Sequence, residues 1–442
     1  MVQRRNFLKY SLTGIAGLGV FKSGTVISNG LRSQTQSLQD DFVVNVRHFG
    51  AAGDGKQDDR KAIQDAVDSV SKSGGSIYIP PGEYALSRDE QHFCGVRLYS
   101  NTQLIGSGRG NTILKWMDSV PDDSHHYVVA ANEGFVENVT IRDLTIDGNK
   151  SRTDKDFNIV GEGIEMDGRN ICISNVHIKD VLGEGIDCDR SDGIMIHNCI
   201  IENSGGNGIH CSDPQARNVQ ISQCITRNCA HGRRRSGNVR YGGLVIRGSG
   251  IFVSHHRSIN DAQIANIEGQ GMDYDSELSL QQVVGYSESV DARGFRVGMS
   301  GHVQMNACRA MLINSDEPVI RIDDFSGIVT IQSSYLESNS GVAISGTVNH
   351  SSSSRNMDSG LRLHDCHIQR HSNHGDLVNL SFSGKSHISL LGNRFRGGPV
   401  NISSLADSAL TGGIIANNSF GDGLIVKDAI QDLVQDSNYI AG

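Results

Sequence analysis

GEGIEMDGRNICISNVHIKDVLGEGIDCDRSDGIMIHNCIIENSGGNGIHCS, residues 161–212, carries one phrase again and again: Gly, an apolar residue, a variable one, another apolar and another variable residue, then a turn and a second alternating strand. The phrase opens at Gly163, Gly185 and Gly208 and recurs at Gly243, Gly271 and Gly294, with weaker successors near Pro318 and Gly341. Most intervals are 22 to 24 residues; two are longer, at 35 and 28, and imply insertions. A period near 22 with short strands is a solenoid coil, whose apolar face is buried only by stacking on its neighbours. Leucine-rich repeats would show a regular Leu and Asn pattern that this chain lacks. The expected fold is all-β, a right-handed single-stranded parallel β-helix. GNRF at 392–395 and NNSF at 417–420 mark later coils, and the Ser-rich 351–354 reads as a looped-out insertion.

Composition agrees: of 442 residues 52 are Gly, only 6 are Pro, and aromatic residues make up 5%. The net charge of −9 is mild for this length, so neither nucleic acid nor an anionic membrane surface is an expected partner. Nine cysteines are scattered without CxxC pairs. Cys172, Cys199, Cys224 and Cys308, with Cys188 and Cys211, fall on inward positions by alternation. They read as small hydrophobes of the core, not a disulfide framework or a zinc site.

Outside the repeats, MVQRRNFLK at 1–9 precedes an apolar, Gly-rich run at 10–21. Arg4-Arg5 followed by Phe7, Leu8 and Lys9 looks like a twin-arginine export signal, which places the protein in the periplasm or outside the cell. The run is short for a membrane span, so membrane contact is expected only if the signal is kept as an anchor. Residues 1–40 are thus read as signal and linker, and 41–442 as one β-helix domain. Within it, 41–115 form the N-terminal cap and first coils, and 116–442 the remaining coils. The apolar spacing Ile63, Ala66, Val67, Val70 predicts a helix that Gly74-Gly75 stops, with strands at 43–46 and 76–79 on either side.

Side chains alternate across a strand. With Ile164, Ile186, Ile209, Leu244, Met272 and Phe295 inside, the second and fourth positions of each phrase face out. Down the stack they read Glu165 and Asp167, Asp187 and Asp189, His210 and Ser212, Val245 and Arg247, Asp273 and Asp275, then Arg296. A solvated face would mix Thr, Ser, Lys and Asn. Four carboxylates in a two-by-two block repel one another unless a cation or retained protons offset the charge. The insertion HGRRRSGNVRYGG adds Arg233, Arg234, Arg235, Arg240 and Tyr241 at the rim, where guanidinium groups can hold sugar carboxylates and a Tyr can stack. An Arg-rich loop is also what an ordinary exposed turn looks like.

NV-x-x-FGA-x-GDG, DDR-x-x-IQ-x-A-x-D and GG-x-x-Y-x-P-x-GEY, within a block of some 45 residues from Phe42, and DLTIDGN at 143–149 resemble the alginate epimerases, related polysaccharide lyases, rhamnogalacturonases and phage depolymerase spikes of the pectate-lyase superfamily. In those families the first block caps the open end of a β-helix. The resemblance implies an anionic polysaccharide partner and chemistry at C5 of a uronic acid, which needs the carboxylate neutralised and a base. It also makes Ca²⁺ a candidate cofactor, with Glu165, Asp167, Asp187 and Asp189 as its oxygen ligands. Asp187, Asp189, His210 and Arg247 are the candidate catalytic residues, His210 or Arg247 being the base. Glu184, Arg233, Arg235, Arg240, Tyr241, Asp273 and Arg296 are the candidate substrate contacts. GEGIDCD aligns with the epimerase motif Tyr-Gly-Phe-Asp-Pro-His-Asp/Glu, so Asp187 keeps the Asp while Glu184 and Asp189 stand for the Tyr and His. The order acid, paired acids, His, Arg on successive coils also resembles the polygalacturonases, without their local signatures, so hydrolysis stays open. A non-catalytic glycan-binding or envelope scaffold is the third reading. A homotrimer is an expectation from β-helix depolymerases alone.

Overall fold

The glycines that open the coils at Gly163, Gly185, Gly208 and Gly243 are required by close approach. A Cβ on Gly163 would lie 2.6 Å from the Gly185 carbonyl oxygen and 2.6 Å from Ile178 Cγ2; on Gly208 it would meet Thr226 and, at 2.6 Å, the Gly243 carbonyl. One side of the turn there has no room for a side chain.

The structure, a computed structural model, describes residues 43–122, 125–152, 161–231, 242–268, 277–339, 341–349, 359–372, 375–383, 386–405, 410–427 and 433–440. The expected export signal and linker, the rim residues Arg233, Arg234, Arg235, Arg240 and Tyr241, Gly271, Met272, Asp273 and Asp275, and the Ser-rich 351–354 lie outside these residues.

The fold is a parallel β-helix. One coil runs through strands Ile186–Asp187, Asp192–His197 and Ile200–Glu202. Each pairs in parallel with Gly161–Glu165 and Gly168–Lys179 on one side, and with Ile209–Ser222 and Ile225–Arg227 on the other. Parallel strands need long crossovers; here the rest of the coil is the crossover. The interior column Val129, Ile164, Ile186, Ile209, Leu244, Ala265, Phe295, Ile320 and Ile344 is buried throughout, and each large apolar side chain contributes roughly 1.5–3 kcal/mol. A second column turns the chain in left-handed backbone: Asn175, Asn198, Gln223, His255, Gln282 and Ala307 have φ between 52° and 55°. Asn bears this conformation best. Its amides also stack, Asn175 Nδ2 donating to Asp143 Oδ1 at 2.6 Å and Asn198 Nδ2 to Asn175 Oδ1 at 3.4 Å.

The predicted helix is Arg60–Ser69, with Ile63, Ala66 and Val67 buried and the Gly74 N–H closing on the Val70 carbonyl at 2.8 Å. The flanking strands run Val43–Asn45 and Gly75–Tyr78. No helix among the described residues is long and apolar enough to cross a membrane.

Two expectations are corrected. The coil after Leu244 is not the one at Gly271: Gln263–Glu268 pairs there, with Ala265 beside Leu244 and then Phe295. Ile264 occupies the slot that glycine fills elsewhere, and Gly285 on the facing strand supplies the missing room, since a Cβ on Gly285 would run into Ile264. The small residue has changed sides, so the glycine phrase misses this coil. Cys172 is also not inward, because Ile171 and Ile173 take the inside and leave it partly exposed. The other eight cysteines are buried, and all nine are free thiols.

Candidate active site

Three outward columns converge on the face carried by the glycine-led strands. The first runs Ala130, Glu165, Asp187, His210, Val245 in direct register. Apolar Ala130 and Val245 bound it, so the ionisable part spans three rungs, each about 4.8 Å from the next. The second, two residues further along each strand, is Asp167, Asp189, Ser212, Arg247 and Glu268, with Ser212–Arg247 and Arg247–Glu268 paired. The third precedes the glycines: Tyr127 pairs with Glu162, and Glu184 and Asn207 follow.

At the centre, His210 Nδ1 lies 3.4 Å from Asp187 Oδ1 and 3.4 Å from Asp189 Oδ1. Asp189 is steadied by the Ser212 N–H at 2.9 Å. Burial works against charge on the imidazole, but Asp187 with Asp189 and Glu184 outweighs it and raises His210 to about 9. The carboxyls respond to the same crowding. Burial raises Asp187 to about 6 although His210 pulls the other way. Burial, then Asp167 and Asp187, raises Glu165 to about 7. Glu162, 4% exposed and with one oxygen unpartnered, is held well above the usual range by burial and by Asp187, Glu184 and Glu165. Near neutral pH the cluster therefore holds one imidazolium, an ionised Asp187 and a Glu165 near its midpoint.

The other expected residues divide. Arg247 is one rung past Ser212; its Nε is buried and unpartnered, and it forms no ion pair among the described residues. Glu184 is 5% exposed and accepts from Asn207 Nδ2 at 3.4 Å. Arg296 lies two register steps beyond Val245 and is committed to Glu268, Asp323 at 2.7 Å and Asn266 at 2.9 Å. Asp273 has no described position; Asn266 and Glu268 stand where the ladder expected Asp273 and Asp275.

Asp167 is held by the Arg190 N–H at 3.1 Å and Nε at 2.7 Å. Among the described residues, the donors that come within 4.8 Å of one another are those of Asp187, Asp189 and His210. Ca²⁺ takes six to eight oxygens, and a set of two carboxylates and an imidazole does not fit it. Such a set suits a borderline ion better.

Glu162 and Tyr127 are absent from the sequence reading. Glu162 had a signal: GEGI occurs at both 161–164 and 183–186, and Glu162 is to Gly163 what Glu184 is to Gly185. Tyr127 had none, because its coil lacks the glycine.

Residues 43–240 match the model of the family described as rhamnogalacturonase A/epimerase, pectate lyase-like. The chain is 32% identical over 231 residues to the mannuronan C5-epimerase AlgE5 of Azotobacter vinelandii, a match covering 48% of this chain and 23% of that protein. It is 30% identical over 201 residues to alginate lyase 7 of the same organism, covering 44% and 23%. The matches thus span about a quarter of these relatives' length. The A-module of the Azotobacter vinelandii mannuronan C-5 epimerase AlgE6 superposes with a TM-score of 0.53 at 17% identity, over 90% of this chain and 99% of that one, and shares the fold.

Proposed function

We propose that this chain, whose first half matches the epimerase and pectate-lyase-like family, is a carbohydrate-active β-helix protein that removes the C5 proton of a uronate within an anionic polysaccharide. One observation carries this reading: an imidazolium held by two carboxylates sits within two rungs of a carboxyl titrating near neutrality and of a guanidinium, that of Arg247, which forms no ion pair among the described residues. Arg247 neutralises the uronate carboxylate, which makes the C5 hydrogen acidic. Ionised Glu165 takes that proton, and the electron pair spreads into the carboxylate. In β-elimination the pair returns to form C4=C5 as the C4–O bond breaks, and His210 protonates the departing oxygen. In epimerisation a proton instead returns to C5 from the opposite face. Asp187 and Asp189 keep His210 charged and oriented.

No step runs through Ca²⁺. A divalent ion, if used, would be held by Asp187, Asp189 and His210, and activity should survive a Ca²⁺-selective chelator.

Hydrolysis is the second reading, because two carboxyls with raised pKa stand on adjacent rungs as an acid and base would. Incubation with mannuronan, polyguluronate, polygalacturonate and neutral glycans decides. Unsaturated-uronate absorbance supports elimination, altered C5 stereochemistry by NMR supports epimerisation, and reducing ends alone support hydrolysis. No product from any polymer overturns the enzymatic reading and leaves glycan binding. We also propose export by the twin-arginine route, tested by fusing residues 1–40 to a reporter.

A further inference from the structure

Beyond the edge of the acidic ladder lies a cavity of about 580 Å³ that the reaction does not use, lined by Phe135, Arg169, Arg190, Asp192, Gln215 and Arg217 among others. That volume is within the range of small-ligand sites. Its cations come from separate coils in register: Arg169 pairs with Asp192, and Asp192 with Arg217. Each guanidinium is braced by a carboxylate: Arg169 Nη1 on Glu137 at 3.0 Å, Arg190 Nε on Asp167 at 2.7 Å, Arg217 Nε on Asp192 at 3.0 Å. Nevertheless the three side chains stay 50%, 59% and 61% exposed. Bracing fixes the plane of a guanidinium at little entropic cost to a ligand and leaves other donors for it. Within the lining itself three cations face one carboxylate, Asp192. Phe135, 48% exposed, offers an apolar face beside them.

We infer that this cavity is a second, non-catalytic subsite that captures a carboxylate-bearing sugar unit of the polysaccharide, with the arginines on the carboxylate and Phe135 under the ring. The inference rests on the polyuronate reading above and adds where a second unit is held. Arg190 links the two sites, because it follows Asp189 in the chain and braces Asp167, one of the charges acting on Glu165. A chain anchored here is therefore held within reach of the ladder, and its capture raises local concentration there.

The test is calorimetric titration of the full chain with a saturated trimannuronate, its carboxyl-reduced neutral counterpart and inorganic phosphate. The set comprises wild type, Arg217→Gln, Phe135→Ala and His210→Gln, each checked for an unchanged circular dichroism spectrum. Expected are at least tenfold weaker trimannuronate binding in Arg217→Gln, at least threefold weaker in Phe135→Ala, and little binding of the neutral sugar. His210→Gln should keep binding through the cavity. Wild-type affinity in both cavity variants overturns the subsite. Equal binding of the neutral sugar, or phosphate displacing trimannuronate at matched concentration, overturns the carboxylate-sugar assignment. If no polyuronate is turned over yet the cavity variants lose binding, the reaction fails and the subsite stands.

Discussion

At His210 the chemistry depends on one charge state, and pH tests it. The imidazole's folded value is raised from its ordinary 6.5 to about 9. Its contribution to stability is thus fully present below about 6.5 and is lost as pH rises through about 9. Glu165 has the opposite consequence. Its value is raised to about 7, so folding favours its protonated form and stability is lost as pH rises from about 4.5 through 7. If Glu165 is the base and His210 the acid, kcat/KM should rise through about pH 7 and fall through about 9; a flat profile over that window sinks both assignments. Glu165→Gln removes the charge the fold resists. At pH 8 it should abolish turnover while stabilising the protein by on the order of 2 kcal/mol in urea unfolding. Loss of stability there would mean Glu165 is a structural residue. Much of this site is legible in the sequence because alternation fixes which residues share a face: Asp187, Asp189 and His210 meet as the pattern requires. What alternation cannot reveal is which charges are already answered. Asp167 and Arg296 have the right types at the right spacing, but partners from neighbouring coils occupy them.

Among elements, the coil phrase is legible wherever the small residue sits on the face-forming strand, and illegible where the facing strand supplies it. That makes Ile264 and Gly285 an exchangeable pair. All three atoms nearest a Cβ on Gly285 belong to the Ile264 side chain, whereas a Cβ on Gly163 meets a backbone carbonyl as well. Gly285→Ala alone should cost about 1–3 kcal/mol, as overpacking does. Adding Ile264→Ala should recover at least about 1 kcal/mol of coupling in a double-mutant cycle. Gly163→Ala should not be rescued by trimming Ile178, because the Gly185 carbonyl remains in the way. Equal rescue at both positions would show that side-chain room, not backbone approach, selects glycine throughout.

For the whole molecule, the strands of each coil pair with those of the coils beside it, and few side chains reach further, as Arg109 does to the Asn198 carbonyl at 3.2 Å, so stability is largely a sum of local terms and perturbation should decay along the axis. Asn418 offers a clean probe. It is 2% exposed, donates from Nδ2 to the Leu390 carbonyl at 2.8 Å, and accepts at Oδ1 from both the backbone N–H and Nδ2 of Asn393 at 2.9 Å. Asn418→Ala leaves those buried groups unanswered, at about 1–3 kcal/mol. Seven register steps separate His210 from Asn401, the rung just before Asn418, or roughly 34 Å at the usual strand spacing. Hydrogen exchange should therefore quicken in Ser386–Leu391, Arg394–Arg396 and Ser419–Phe420. Protection of Ile186–Asp187 and Ile209–Ser222, and with it kcat/KM, should change less than twofold. Uniform loss of protection would instead mean that the whole solenoid opens as one cooperative unit, and that the geometry around His210 depends on every coil, not only on those beside it.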